Sequence, residues 1–273
     1  MTDERDLSER AQELWAGLAS GTASPVPAGS VPSPHAARVP SPPAAFGPAG
    51  SVRVVVAPSS LLCPPGWLGL VVIGGAGLVT APDGERARAV RTAVAGGLTA
   101  GGLADAETVR RALPLRTGAV LGPAALAYVS EAAFRRPAGG TVAATACEEA
   151  EGLRELWSAC TEEEIDESGL REITSPAFVV REGGGAGDRI VAAAGYRRWP
   201  GAAAHLCVLT APAARGRGLA RVSGAAAVAH ALAAGLLPQW RARPVASRRV
   251  AAALGFRELG TQVSIEVAGP QGG

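Results

Sequence analysis

The 273-residue sequence contains no lysine; all 26 basic residues are arginine, set against 24 acidic ones. Without lysine there is no Gly-Lys-Ser/Thr element, which excludes a nucleotide-triphosphate loop of that type. A net charge of +2, with no uninterrupted basic stretch and no aromatic-basic array, leaves no electrostatic footprint for nucleic acid. Aromatic residues make up only 4%, so the 48% hydrophobic content rests on alanine, leucine and valine. Cys63, Cys147, Cys160 and Cys207 form neither a CxxC pair nor a compact disulfide pattern, and reduced thiols without a metal are the expectation. The most apolar run, Trp67 to Pro82, is interrupted by four glycines and falls short of the roughly 20 residues a membrane-spanning helix needs. The start, MTDERDLSER, is acidic and polar, unlike a secretory leader. These features together predict a soluble, cytoplasmic protein with no nucleic-acid or membrane partner.

Residues 1–50 divide into a helical stretch, Asp3 to Leu18, and a Pro/Ala-rich linker, Ser20 to Gly50, whose eight prolines give it little to bury. The whole of 1–50 is therefore expected to lack fixed structure beyond that helix. From Val52 the pattern changes. Strand candidates at 52–57, 68–73, 77–80 and 124–129 alternate with helix candidates at 84–95 and 105–112, which predicts a small α/β domain over 51–136. Arg135 to Gly140 reads as a boundary.

Beyond the boundary, the order is a strand at 141–144, helices at 148–159 and 166–173, and strands at 177–182 and 189–196 joined by the glycine-rich turn 183–188. A strand at 203–210, a long helix at 218–234, a strand at 237–241, a helix at 244–254 and strands at 256–259 and 262–267 follow. Gly235 and Gly255 are placed to end the two later helices. A mixed α/β domain over 141–268 is the expectation.

Within it, Cys207-Val208-Leu209-Thr210 leads through Ala211-Pro212-Ala213-Ala214 into Arg215-Gly216-Arg217-Gly218-Leu219-Ala220, where the long helix opens. A helix start offers unpaired N–H groups and the positive end of a dipole, and glycines let phosphate oxygens approach the main chain. A Rossmann site is a poor fit, because Arg221 stands where a third glycine is needed. Arg215, Gly218 and Ala220 occupy the fixed positions of the signature of the GNAT acyltransferase superfamily, which this segment resembles. The strand Gln239-Trp240-Arg241 and the stretch Ser247 to Phe256, ending Leu-Gly-Phe, resemble that family's second conserved segment.

The resemblance covers about 141–268 and implies a GNAT acyl-CoA N-acyltransferase fold preceded by a smaller α/β domain. It further implies acetyl-CoA as cosubstrate, with its pyrophosphate on Arg215, Gly216, Arg217, Gly218, Leu219 and Ala220. The pantetheine arm would lie along Val208, Leu209 and Thr210, in a V-shaped opening between the strands before and after the loop's helix, with Ser247 close by. The implied activity is transfer of an acetyl or other short acyl group to a primary amine by direct attack in a ternary complex. Ala251 stands where the family commonly has a tyrosine acid, so a non-catalytic CoA-binding regulator or interaction module is the alternative. Glu182, Tyr196 and His205 are the candidate bases, His205 foremost because its ordinary pKa suits the task and it lies on the strand before the loop. Cys207 reads as core rather than nucleophile, and Trp199 as a turn residue that could border an acceptor. The first domain has no such loop; a degenerate second half, a lid and a homodimer surface all remain open for it.

Overall fold

In the computed structural model, residues 2–20, 46–137, 145–147, 150–183, 189–200 and 202–268 are described. The predicted strand at 141–144 and most of the turn at 183–188 lie outside them, as do 21–45 of the linker. The chain divides into two compact units, residues 1–126 with 258–273, and residues 127–257.

The first unit opens with α1 (Thr2–Ser20). Leu7, Ala11, Leu14, Trp15 and Leu18 recur at helical spacing, and all are buried. Gln12 Nε2 donates to Ile73 O (3.1 Å), and the Leu61 amide donates to Leu18 O (3.0 Å). This helix, expected over 3–18, is not isolated, because its apolar stripe has a surface to cover.

Strands β1 (Val52–Val56), β2 (Leu68–Ile73) and β3 (Ala76–Ala81) precede α2 (Gly84–Ala95), α3 (Ala106–Ala112) and the long β4 (Thr117–Tyr128). Asp83 caps α2 through the Arg86 amide (2.9 Å), and Asp105 caps α3 through the Thr108 amide (3.0 Å). β3 pairs parallel with β1 and antiparallel with β2.

The second unit contains β5 (Thr145–Cys147), α4 (Ala150–Ser158), α5 (Glu162–Ser168), β6 (Ala177–Glu182), β7 (Arg189–Trp199) and β8 (Ala203–Thr210). After these come α6 (Leu219–Ala233), β9 (Leu237–Ala242) and α7 (Val245–Ala253). Strands β5 to β8 are antiparallel neighbours, and β8 pairs parallel with β9. One face of these strands buries Leu153, Leu156, Ile165, Cys207 and Leu209 under α4 and α5. The other buries Tyr196, Leu206, Trp240 and Phe256 against α6 and α7. Alternation along β8 sends odd and even residues to opposite layers.

The last strand departs from the sequence expectation. Two strands at 256–259 and 262–267 are instead one, β10 (Arg257–Val267), and it belongs to the first unit, antiparallel to β2. Gly260 is the reason it runs unbroken. A Cβ there would lie 1.8 Å from Val72 O, so the glycine serves close strand approach rather than a turn. The mixed α/β class with a mixed sheet is as the sequence predicts.

Candidate functional site

β8 and β9 are hydrogen-bonded neighbours only at their beginnings. Their register is Ala203 with Leu237, Ala204 with Pro238 and His205 with Gln239, and no pair follows among the described residues, although β8 runs on to Thr210 and β9 to Ala242. Pro238 brings no N–H to the ladder, which weakens it at the point of divergence. A cavity of about 610 Å³ opens at the fork, with Val208 on one strand, Arg241 on the other, Ser247 of α7, and the α5 carboxylates Glu163, Glu164 and Glu167 on its wall.

Val208 therefore faces the fork, while Leu209 is 5% exposed and belongs to the opposite layer. Thr210 O accepts from Arg215 Nε (3.2 Å), whereas its Oγ1 is buried and has no hydrogen-bond partner among the described residues. Ser247 Oγ accepts from Trp240 Nε1 (2.9 Å), which fixes α7 against β9 at the cavity's edge.

The loop after β8 makes one tight turn, Pro212–Ala214, and then passes through Gly216 (φ 78°) and Gly218 (φ 80°) into α6. Both glycines are in the left-handed region, where side chains are strained. A Cβ at Gly216 would meet nothing within 4 Å, so the main chain there is open to an approaching group. The first amides that turn back belong to Arg221 and Val222, which donate to Gly218 O (3.0 and 3.3 Å). The preceding amides of Leu219 and Ala220 are the orphan donors that every helix start presents. Gly224 lets α6 lie close to the sheet, its Cβ position 3.5 Å from the Trp240 ring.

Each loop arginine already holds a carboxylate. Arg215 Nη2 lies 2.8 Å from Glu164 Oε1, and Arg217 Nη1 donates to Glu182 Oε2 (2.9 Å). The hydrogen bond from the Thr161 amide, followed by that from Arg215, lowers the pKa of Glu164; Arg217 does the same for Glu182. Across the cavity, Arg243 Nε donates to Glu167 Oε1 (3.0 Å) and pairs with its other oxygen as well. Arg171 serves Glu162 (2.7 Å) and Asp166 (3.7 Å). Of the five carboxylates of α5, Glu163 alone has no ion-pair partner among the described residues, although its charge reaches Arg243. By composition alone, the Glu162-Glu163-Glu164 run is a solvated helix start. It is a helix start, with a full capping box between Thr161 and Glu164, but Glu163 and Glu164 also wall the cavity.

The three candidate bases are not gathered there. Glu182 is the partner of Arg217. Tyr196 is 1% exposed, and its hydroxyl lies 2.9 Å from His230 Nδ1. His205 does not line the cavity. It stacks on Trp199 (4.5 Å between ring centroids), its Nδ1 lies 2.9 Å from Gln239 Oε1, and Gln239 Nε2 donates to the Tyr128 hydroxyl (3.3 Å). Burial first, and then the Arg241 charge, push the imidazole's pKa down to about 4. Cys207 is buried, with its thiol pushed up to about 12, which suits core rather than nucleophile.

The depressed His205 value has a sign-defined consequence. Above pH ~6.5 the ring is neutral in both folded and unfolded chains; between ~6.5 and ~4 only the unfolded chain takes up the proton, so stability falls as pH drops through that window. Thermal melts of the wild type should show that loss, and His205→Asn should flatten it. A wild-type melting temperature that stays level from pH 7 to 5 would contradict the half-buried, neutral ring.

Among the described residues no helix is long and apolar enough to cross a membrane, and no group of three or more His, Cys, Asp or Glu side chains is placed to hold a metal ion.

A family model described as GNAT acetyltransferase matches residues 181–261, which span the forked strands, the loop and both helices beside them. Solved structures that resemble the chain include a GNAT-family protein of Novosphingobium aromaticivorans (20% identity, 56% of this chain and 68% of that one, TM-score 0.41). Another is an acetyltransferase from the GNAT family of Colwellia psychrerythraea (16%, 56% and 58%, TM-score 0.42). A third is a GCN5-related N-acetyltransferase of Kribbella flavida (20%, 56% and 60%, TM-score 0.41). The chain spans less than two thirds of the length of the latter two. No curated protein matches it.

Proposed function

We propose that this chain transfers an acetyl or other short acyl group from acetyl-CoA to a primary amine, by direct attack within a ternary complex. The observation that carries the reading is the forked pair β8 and β9, which opens a cavity immediately beside a glycine loop at a helix start. The family match over 181–261 supports it.

The residues present fit the cosubstrate. The amides of Gly216 to Ala220 are the donors for the diphosphate, with no side chain in the way at Gly216. The edge of β8 from Val208 to Thr210, no longer paired to β9, offers its main chain to the pantetheine amides, and Ser247 stands on the far wall. When bound, acetyl-CoA supplies the activated thioester carbonyl.

The protein's share of the chemistry is to place the amine against that carbonyl, with effective molarity as the main gain. Glu163 and its neighbours favour an approaching cation, and a nearby carboxylate or water takes the proton that the amine must lose before it attacks. His205, neutral at ordinary pH and bound to Gln239 at the last paired position, acts better as the pin that sets where the fork opens than as the base. Ala251 is 2% exposed and offers no acid, so the departing thiolate takes its proton from solvent. The free thiols of Cys63, Cys160 and Cys207 suit a reducing cytoplasm.

The test is release of free CoA from acetyl-CoA across a panel of primary amines, beside calorimetric binding of acetyl-CoA alone. Binding and amine-dependent release are expected together. Tight binding with no amine able to stimulate release would defeat the enzyme reading and leave a CoA-binding regulator.

A further inference from the structure

Glu164 stands in three roles at once. It lines the cavity at the fork; its Oε2 accepts from the Thr161 amide (3.1 Å) in the α5 capping box; and its Oε1 is paired with Arg215, the first residue of the loop. Arg215 has a second tie, its Nε to Thr210 O, that does not depend on Glu164. A guanidinium with one fixed hydrogen bond and one exchangeable carboxylate, at the edge of an anion-binding loop, is set to change partners. The pair is half-exposed on the arginine side (47%) and one-third exposed on the glutamate side (33%), so solvent screening keeps it weak enough to be displaced. Glu167 with Arg243, on the other side of the cavity, has no such neighbouring loop.

We propose that Glu164 is an intramolecular stand-in for the donor's diphosphate: it holds Arg215 in place until phosphate oxygens take the guanidinium over, and it thereby sets donor affinity without touching the donor. The inference rests on the reading that the loop binds the diphosphate of acetyl-CoA. Glu164 is a positioning residue in this scheme, acting through Arg215. Removing its charge removes a competitor, so donor binding becomes tighter, the opposite sign from the loss of an ordinary binding residue.

Glu164→Gln is the suitable substitution, because glutamine also serves at this place in a capping box and the helix start is retained. Calorimetry should show acetyl-CoA binding about two- to fivefold tighter than in the wild type, the range expected for loss of an exposed ion pair. S-acetylpantetheine, which lacks the diphosphate, should bind both proteins equally. The gain should vanish in an Arg215→Gln background, where there is nothing to release. Thr161→Ala breaks the cap but keeps the ion pair, and should leave donor affinity unchanged.

Unchanged or weaker acetyl-CoA binding in Glu164→Gln overturns the proposal, as does an equal gain with S-acetylpantetheine or with Thr161→Ala. If the wild type fails to bind acetyl-CoA at all, the assignment of the loop falls and the role of Glu164 with it, an outcome distinct from binding that Glu164→Gln does not alter.

Discussion

Gly218→Asp is expected to abolish acetyl-CoA binding, weakening it more than a hundredfold, while Gly218→Asn weakens it only modestly. Gly218 is the N-cap of α6, has φ of 80° and stands amid the amides assigned to the diphosphate. A carboxylate there meets a phosphate at about 4 Å, and like charges at that distance repel by about 4 kcal/mol at the effective dielectric of a protein surface. Asparagine has the same shape and no charge, and it is among the residues that best tolerate the left-handed region, so it isolates the electrostatic part. The nearest atom to the new Cβ is Arg221 Nη2 at 3.0 Å, the far end of a flexible chain that can move aside. If Arg221 pairs with the new carboxylate, it is withdrawn from any phosphate, which deepens the loss. Calorimetry with acetyl-CoA reads the result. Near wild-type affinity in Gly218→Asp would mean that the diphosphate is held elsewhere and would remove the basis of the functional reading.

The parts of this site that were legible in the sequence are those fixed by local conformation. Gly216 and Gly218 stand between a strand pattern and a long helical pattern, which marks them as loop residues at a helix start, and the strand and helix around them follow from hydrophobic periodicity. The fork between β8 and β9 was not legible from local pattern, because it depends on where two strands distant in sequence stop pairing; the opening was an expectation of the resemblance alone. The carboxylate wall was hidden for a similar reason. Glu162-Glu163-Glu164 has the composition of a solvated helix start, and only the tertiary fold brings arginines from three different segments to Glu162, Glu164 and Glu167 while leaving Glu163 facing the cavity. His205 misled for the opposite reason. Its type and its strand suit a base, but strand alternation and the Gln239 contact direct the ring away from the cavity, and burial lowers its pKa. The placement of β10 beside β2 was invisible, since a glycine that permits close approach and a glycine that makes a turn look alike in a sequence.

The same ambiguity gives the largest expected effect on stability, at Gly255. Two helices of the second unit end on the same device. Gly235 N–H donates to Leu232 O (2.9 Å) and Leu236 N–H to Ala231 O (3.0 Å) after α6; Gly255 N–H donates to Ala252 O (3.1 Å) and Phe256 N–H to Ala251 O (3.1 Å) after α7. Both glycines have positive φ, 70° and 93°, as this helix ending requires. Their surroundings differ. A Cβ at Gly235 would meet nothing within 4 Å, whereas at Gly255 it would lie 2.1 Å from Ala133 O, in a segment also tied there by the Arg135 amide to Leu254 O (3.0 Å). Gly235→Ala therefore carries only the conformational cost, about 1 kcal/mol. Gly255→Ala adds a main-chain overlap that no rotamer can relieve, which brings the loss to about 3 kcal/mol or more. For a chain of this size the melting temperature should fall by about 2–4 °C in the first variant and by about 6–12 °C in the second. Equal shifts would show that the 133–135 segment yields freely and that Gly255 is held only by the turn. A larger shift at Gly255 would show why one glycine in the Leu-Gly-Phe stretch is irreplaceable: it lets the 133–135 segment lie against the end of α7, the helix that brings Ser247 to the cavity wall.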